Sequence, residues 1–166
     1  DKDTAGFTLS KSLVTVDETG LEAATTGTFT VELDSQPSGS VVFSVSVVGS
    51  DASELTVSPP TLTFLPGDWD ILQEVTVVGQ PDSVVDGNQI TEVKVERTTD
   101  SADANYNVSD VLAPKIVTVT TTDKDTAGFT LSRNLVTVDE TGLEAATTDT
   151  FDVVLTSQPS GSVVFS

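Results

Sequence analysis

With 166 residues the chain has room for one or two domains of ordinary size. Twenty-six acidic residues oppose seven basic ones, a formal charge of -19, and the five lysines and two arginines are scattered, which excludes nucleic-acid recognition and disfavours anionic membranes. Histidine and cysteine are both absent, which removes the commonest general base, the thiolate nucleophile, disulfides and the usual zinc ligands.

Taken in order, seven segments carry Val, Leu, Ile and Phe at alternating positions and read as strands: 7–17 (A), 28–34 (B), 41–48 (C), 55–64 (D), 71–78 (E), 90–99 (F) and 115–121 (G). Turn-forming stretches punctuate them: Gln36-Pro37-Ser38-Gly39, Pro66-Gly67-Asp68, Asp86-Gly87-Asn88 and residues 100–110. Pro59-Pro60 falls inside segment D, so that strand is expected at an edge or broken, because proline cannot donate to a ladder. The pattern predicts an all-β, immunoglobulin-like antiparallel sandwich of about seven strands.

The sequence then repeats. Residues 1–44 return at 123–166, a period of 122, with six differences: Lys11/Arg133, Ser12/Asn134, Gly27/Asp149, Thr30/Asp152, Glu32/Val154 and Asp34/Thr156. The last three alternate along one segment while Phe29, Val31 and Leu33 stay unchanged, as expected of a strand with one wet and one buried face. Residues 1–122 read as one complete repeat and 123–166 as the start of a second, holding strands A, B and part of C. Three strands leave half a core and an open edge, so this part is expected to be disordered, to borrow strands from another chain, or to belong to a repeating filament. The start at Asp1-Lys2-Asp3-Thr4, seen again at Asp123, is expected to lie inside a longer chain with any targeting signal elsewhere. Asp1 and Asp3 should then belong to a preceding repeat, and Asp139 and Glu140 should lack their partners. No apolar run approaches the roughly 18 residues of a membrane helix.

If successive strands reverse, the segments leaving A, C, E and G gather at one pole, carrying Asp17 and Glu18, Asp51 and Glu54, Asp82 and Asp86, and Asp123 and Asp125 respectively. Calcium takes about six to eight oxygens in tolerant geometry and suits such a set better than magnesium or zinc. The other pole is a control, because it also carries Asp34, Asp68, Asp70, Asp100, Asp103 and Asp110, and acids on loops are often only solvated.

The order Val16-Asp17-Glu18-Thr19-Gly20, Thr63-Phe64-Leu65-Pro66-Gly67, Gln80-Pro81-Asp82-Ser83-Val84-Val85-Asp86-Gly87 and Asp123-Lys124-Asp125 resembles Calx-β domains, specifically the tandem repeats of large bacterial surface proteins. The resemblance implies calcium at this pole, with Glu18, Asp82, Asp86, Asp123 and Asp125 as its main ligands and Asp51 and Glu54 as weaker ones. The family's Asp-Gly-Thr-Ala and Asp-Tyr segments are missing around the C–D loop, Gln89 stands near the place of a second glutamate, and Lys124 interrupts the last acidic run.

The function expected on this reading is a calcium-stiffened extracellular stalk or filament segment of an adhesion protein. Its partners would be neighbouring repeats and possibly other copies, by lateral or strand-exchange contact. The alternatives are a calcium-dependent carbohydrate-binding module using Trp69, and a calcium sensor. Trp69 and Tyr106 are expected to close core edges, and no function is assigned to Asn107-Val108-Ser109. Catalysis is not expected, since neither a Gly-Xaa-Ser-Xaa-Gly elbow nor a phosphate loop occurs.

Overall fold

The structure, a computed structural model, describes residues 4–19, 25–107, 112–140 and 148–166. Asp1, Asp3, Gly20 and Asp110 lie outside the described residues. The chain divides into two compact units: Asp1–Asp82 with Asp86–Asp123, and Ser83–Val85 with Lys124–Ser166.

The first unit is an immunoglobulin-like sandwich. One sheet has the order β1 (Phe7–Leu9), β3 (Thr26–Leu33), β7 (Gln73–Gly79), β5 (Leu55–Ser58). The other has the order β2 (Leu13–Asp17), β9 (Lys115–Thr122), β8 (Gln89–Arg97), β4 (Val41–Val48), β6 (Thr61–Phe64). All pairings are antiparallel except β2 with β9. Two predicted strands are each divided between the sheets. In segment A the crossing takes three residues: Ser10 N–H still donates to Thr30 O in the first sheet, while Ser12 O already accepts from Thr118 N–H in the second. In segment D, Ser58 pairs with Thr76, and Thr61 pairs with Ser44 in the opposite sheet. Pro59 and Pro60 have no N–H to hold the strand to its first partner, so the ladder changes there.

The alternation seen in the sequence is what fills the core. Phe29, Val31, Val75, Val77, Val93, Val95, Val117 and Val119 all point between the sheets and are fully buried. Phe43 sits among them, with its ring 4.7 Å from that of Phe7 and 6.1 Å from that of Phe64 in an edge-on contact. Trp69 is partly buried against this cluster, and Tyr106 is fully buried. Among the described residues no helix is long and apolar enough to cross a membrane.

The second unit is built on the same local rules and stops short of a sandwich. β10 (Phe129–Leu131) pairs with β11 (Val153–Leu155) in the register Phe129↔Leu155, the β1–β3 register Phe7↔Leu33 displaced by the repeat. The rings of Phe129 and Phe165 meet at 4.9 Å, close to the 4.7 Å between Phe7 and Phe43. Burial differs sharply: Phe7, Phe29 and Phe43 are at most 1% exposed, whereas Phe129, Phe151 and Phe165 are 52%, 50% and 52% exposed. The sequence differences act as a pair here. In the first unit a Cβ on Gly27 would stand 2.4 Å from Val14 Cγ1. The second copy has Asp149 at that position, held by Arg133, which replaces Lys11, at 2.7 Å.

Candidate functional site

The loops leaving β2, β4 and β7 and the exit from β9 meet at one pole of the first unit. Close packing creates the junction. A Cβ on Gly79, at the end of β7, would stand 2.0 Å from the Asp17 carbonyl oxygen, so only glycine lets the end of β2 cross there. Gln80 N–H then donates to Glu54 O at 2.8 Å, and Thr91 Oγ1 donates to Asp51 O at 3.1 Å, which fixes the short 3₁₀ turn Ala52–Glu54 to β7 and β8. Gly87 N–H donates to the Asp123 carboxylate at 2.7 Å, and Asn88 Oδ1 accepts from Asp123 N–H, so the chain exit is tied to the loop after β7.

One carboxylate oxygen from each of Glu54, Asp82 and Asp86 lies within 4.8 Å of the others, and Glu18 Oε and Asp82 Oδ also come within 4.8 Å of each other. Asp82 is therefore the hub. Glu54 is half-buried, and its carboxyl is raised above the ordinary 4.5 by desolvation first and then by the charges of Asp86, Asp82 and Asp51. Glu18 is buried at 4% exposure.

Three of the other predicted ligands make hydrogen bonds of their own. Asp17 is buried, and its Oδ1 is occupied by Thr19 N–H and Oγ1 at 3.2 and 2.8 Å, so it shapes the turn after β2. Asp51 opens the 3₁₀ turn, its carbonyl accepting from Glu54 N–H at 3.1 Å and its carboxylate from Ser50 Oγ, and its charge helps raise Glu54. The Asp123 carboxylate takes the Gly87 amide. Asp125 belongs to the second unit.

The opposite pole uses its acids one at a time. Asp34 accepts from Thr8 Oγ1, and Asp68 accepts from Leu65 N–H. Asp103 is 1% exposed and accepts from Ser38 N–H, Ser38 Oγ, Asn105 N–H and Tyr106 N–H, clamping the β8–β9 loop onto the β3–β4 loop. Desolvation raises the Asp103 carboxyl, but these donors outweigh it and hold the group below 3.8. Sequence reasoning missed this anchor, although the spacing Asp103-Ala104-Asn105-Tyr106 has the form of an Asx turn beside a buried tyrosine.

No known protein family and no curated protein matches the sequence. Solved structures do resemble it in fold. The E. coli chaperone DraB is 11% identical with a TM-score of 0.50, over 76% of this chain and 59% of that one. The periplasmic chaperone SfaE is 9% identical with a TM-score of 0.51, over 72% and 57%. A structure of the Salmonella enterica SafA pilin in complex with the SafB chaperone gives 14% and 0.51, over 75% and 57%. At such identities the likeness establishes the immunoglobulin-like fold, and the chain spans less than two thirds of these matched chains.

These likenesses overturn the expected function, both the calcium-binding stalk and the carbohydrate-binding module, because the similar structures are chaperones and a pilin complex. The structure also shows two of the acids expected to hold the ion engaged within the fold, Asp17 by Thr19 and Asp123 by the Gly87 amide. Trp69, the residue of the carbohydrate alternative, packs on the core of the first unit.

Proposed function

We propose that this chain is a non-catalytic module that binds other polypeptide chains outside the cytoplasm. The observation that carries the reading is the immunoglobulin-like sandwich of the first unit and its likeness to chaperones, one of them periplasmic and one complexed with a pilin, which supports a protein partner and that compartment.

The test is a client assay. Light scattering from a denaturant-unfolded β-sandwich protein, diluted into buffer, should fall when this chain is present in equimolar amount. It should not fall with an equal mass of an unrelated acidic protein. Equal scattering with both proteins would remove the reading.

We further propose calcium as a structural ligand of Glu54, Asp82 and Asp86, in keeping with the Calx-β-like motif order. Oxygens sharing one ion at about 2.4 Å can stand no more than about 4.8 Å apart, a limit these three meet. Three carboxylates form a hard, anionic donor set, and the ion would relieve the repulsion that raises Glu54. Calcium at a hundredfold excess over its Kd should stabilise the fold by about 2.7 kcal/mol. Asp82→Asn should blunt this response, read as melting temperature with calcium and then with chelator. A melting curve indifferent to chelation counts against the site.

A pH series in chelator gives a separate check. Glu54 has a raised folded-state pKa, so the relative gain from protonating it is complete below its ordinary 4.5 and is lost as pH rises through the folded value. Stability should therefore climb as pH falls from 7 toward that range. Saturating calcium or Glu54→Gln should flatten the climb, as read from urea midpoints.

A further inference from the structure

Asp86-Gly87 is the one place in the sequence where glycine follows an acid. The amide nitrogen of a glycine is the least shielded that a chain offers, because no side chain stands beside it. Both residues are exposed, in the loop between β7 and β8, and Gly87 adopts a φ of +80°. A Cβ on Gly87 would meet nothing within 4 Å, so the space around it is open.

Two hydrogen bonds pin the peptide plane that joins the pair. Its carbonyl, Asp86 O, accepts from Gln89 Nε2 at 3.3 Å, and its amide, Gly87 N–H, donates to the Asp123 carboxylate at 2.7 Å. Asp123 is fixed in turn, since its own N–H donates to Asn88 Oδ1 at 3.1 Å. The chain exit and Gln89 therefore hold one peptide unit from two sides.

We propose that Asp86-Gly87 is a site of isoaspartate formation, and that Asp123 and Gln89 restrain it. The Gly87 nitrogen bonds to Asp86 Cγ, its proton joins the departing carboxyl hydroxyl as water, and a five-membered imide is left. Water then opens the imide at the Asp86 main-chain carbonyl, so that the main chain runs through Cβ and Cγ and gains a methylene. Closing the ring turns the peptide plane toward the side chain, which breaks both bonds that pin it. The bond to Asp123 is the stronger restraint, because its acceptor is charged. The product carries its carboxylate on Cα, one carbon shorter, and so withdraws it from Glu54 and Asp82, with which Asp86 is clustered. That consequence rests on the calcium reading, whereas the rearrangement itself does not.

The test keeps the full chain in warm, neutral buffer with chelator and reads isoaspartate from the backbone fragments of electron-transfer mass spectrometry. Asp34-Ser35 and Asp100-Ser101 are internal comparators, being exposed acids followed by serine. Asp123→Ala should raise the rate at Asp86 at least fivefold and leave the comparators unchanged. Asp123→Asn keeps an acceptor oxygen for the Gly87 amide and should stay near the parent rate. An Asp123→Ala rate equal to the parent's at Asp86 would overturn the proposal. Where Asp123→Ala raises all three junctions together, Gln89→Ala decides: a rise confined to Asp86 supports the proposal, and none overturns it.

Saturating calcium should slow the reaction by holding the Asp86 oxygens. One rate with and without calcium would remove the calcium reading and leave this site standing. A protein stabilised by calcium that forms no isoaspartate at Asp86, in the parent or in Asp123→Ala, would do the reverse.

Discussion

Replacing Gly79 with alanine should lower the stability of the first unit by about 3 kcal/mol, equivalent to a melting temperature roughly 10 °C lower. The added Cβ would stand 2.0 Å from the Asp17 carbonyl oxygen and 2.9 Å from its carbonyl carbon, both backbone atoms that cannot rotate away. The end of β2 must retreat, drawing Asp17 and Glu18 away from Asp82. The variant should therefore lose part of its calcium response together with stability, a combination that a packing defect elsewhere would not produce. Gly67→Ala is the control, since a Cβ there meets nothing within 4 Å, and it should leave both properties nearly unchanged. Calorimetric melting with and without calcium reads both effects, and a Gly79→Ala protein that melts like the parent would contradict the crossing described for this pole.

Removing the Asp103 carboxylate should be at least as damaging. Asp103→Ala leaves Ser38 N–H, Ser38 Oγ, Asn105 N–H and Tyr106 N–H without their common acceptor in a buried site, at a cost of about 4 kcal/mol. Asp103→Asn keeps one acceptor oxygen and should cost about half as much. The two differ from the parent in acid as well. The Asp103 carboxyl is held below its ordinary 3.8, so its contribution is present above that value and is lost as pH falls through the lower folded-state pKa. In chelator the parent should thus gain stability as Glu54 protonates and lose it again at more acidic pH. Asp103→Asn should keep the gain and lack this part of the later loss. Urea midpoints between pH 2 and 7 would show it, and parallel curves for parent and Asp103→Asn would refute the anchor.

Much of the fold was legible because alternation is a local property. Phe29, Val31 and Leu33 declared their buried face through the very positions that changed around them in the second copy. Pro59-Pro60 announced the break in segment D through the missing amides. The break in segment A had no such marker. Ser10-Lys11-Ser12 could continue a strand, and it crosses between sheets because Ser10 pairs with Thr30 while Ser12 pairs with Thr118, partners about 20 and more than 100 residues away. Similarly, the acids of the two poles look alike in the sequence, and only the folded chain separates the shared cluster of Glu54, Asp82 and Asp86 from Asp34, Asp68 and Asp103, each of which serves its own loop.

By itself the sequence determined the all-β class, the repeat period of 122 and the inward-facing positions, since each follows from side chains a few residues apart or from direct self-comparison. Tertiary structure alone decided that Asp17 turns into its own loop, that Gly79 admits the end of β2, and that Asp103 is an anchor. It also decided that Phe129, Phe151 and Phe165 stay exposed while their equivalents are buried. The reason is that burial belongs to the partner strands as much as to the residue. The same phenylalanine is core beside β7 and β8 and surface without them.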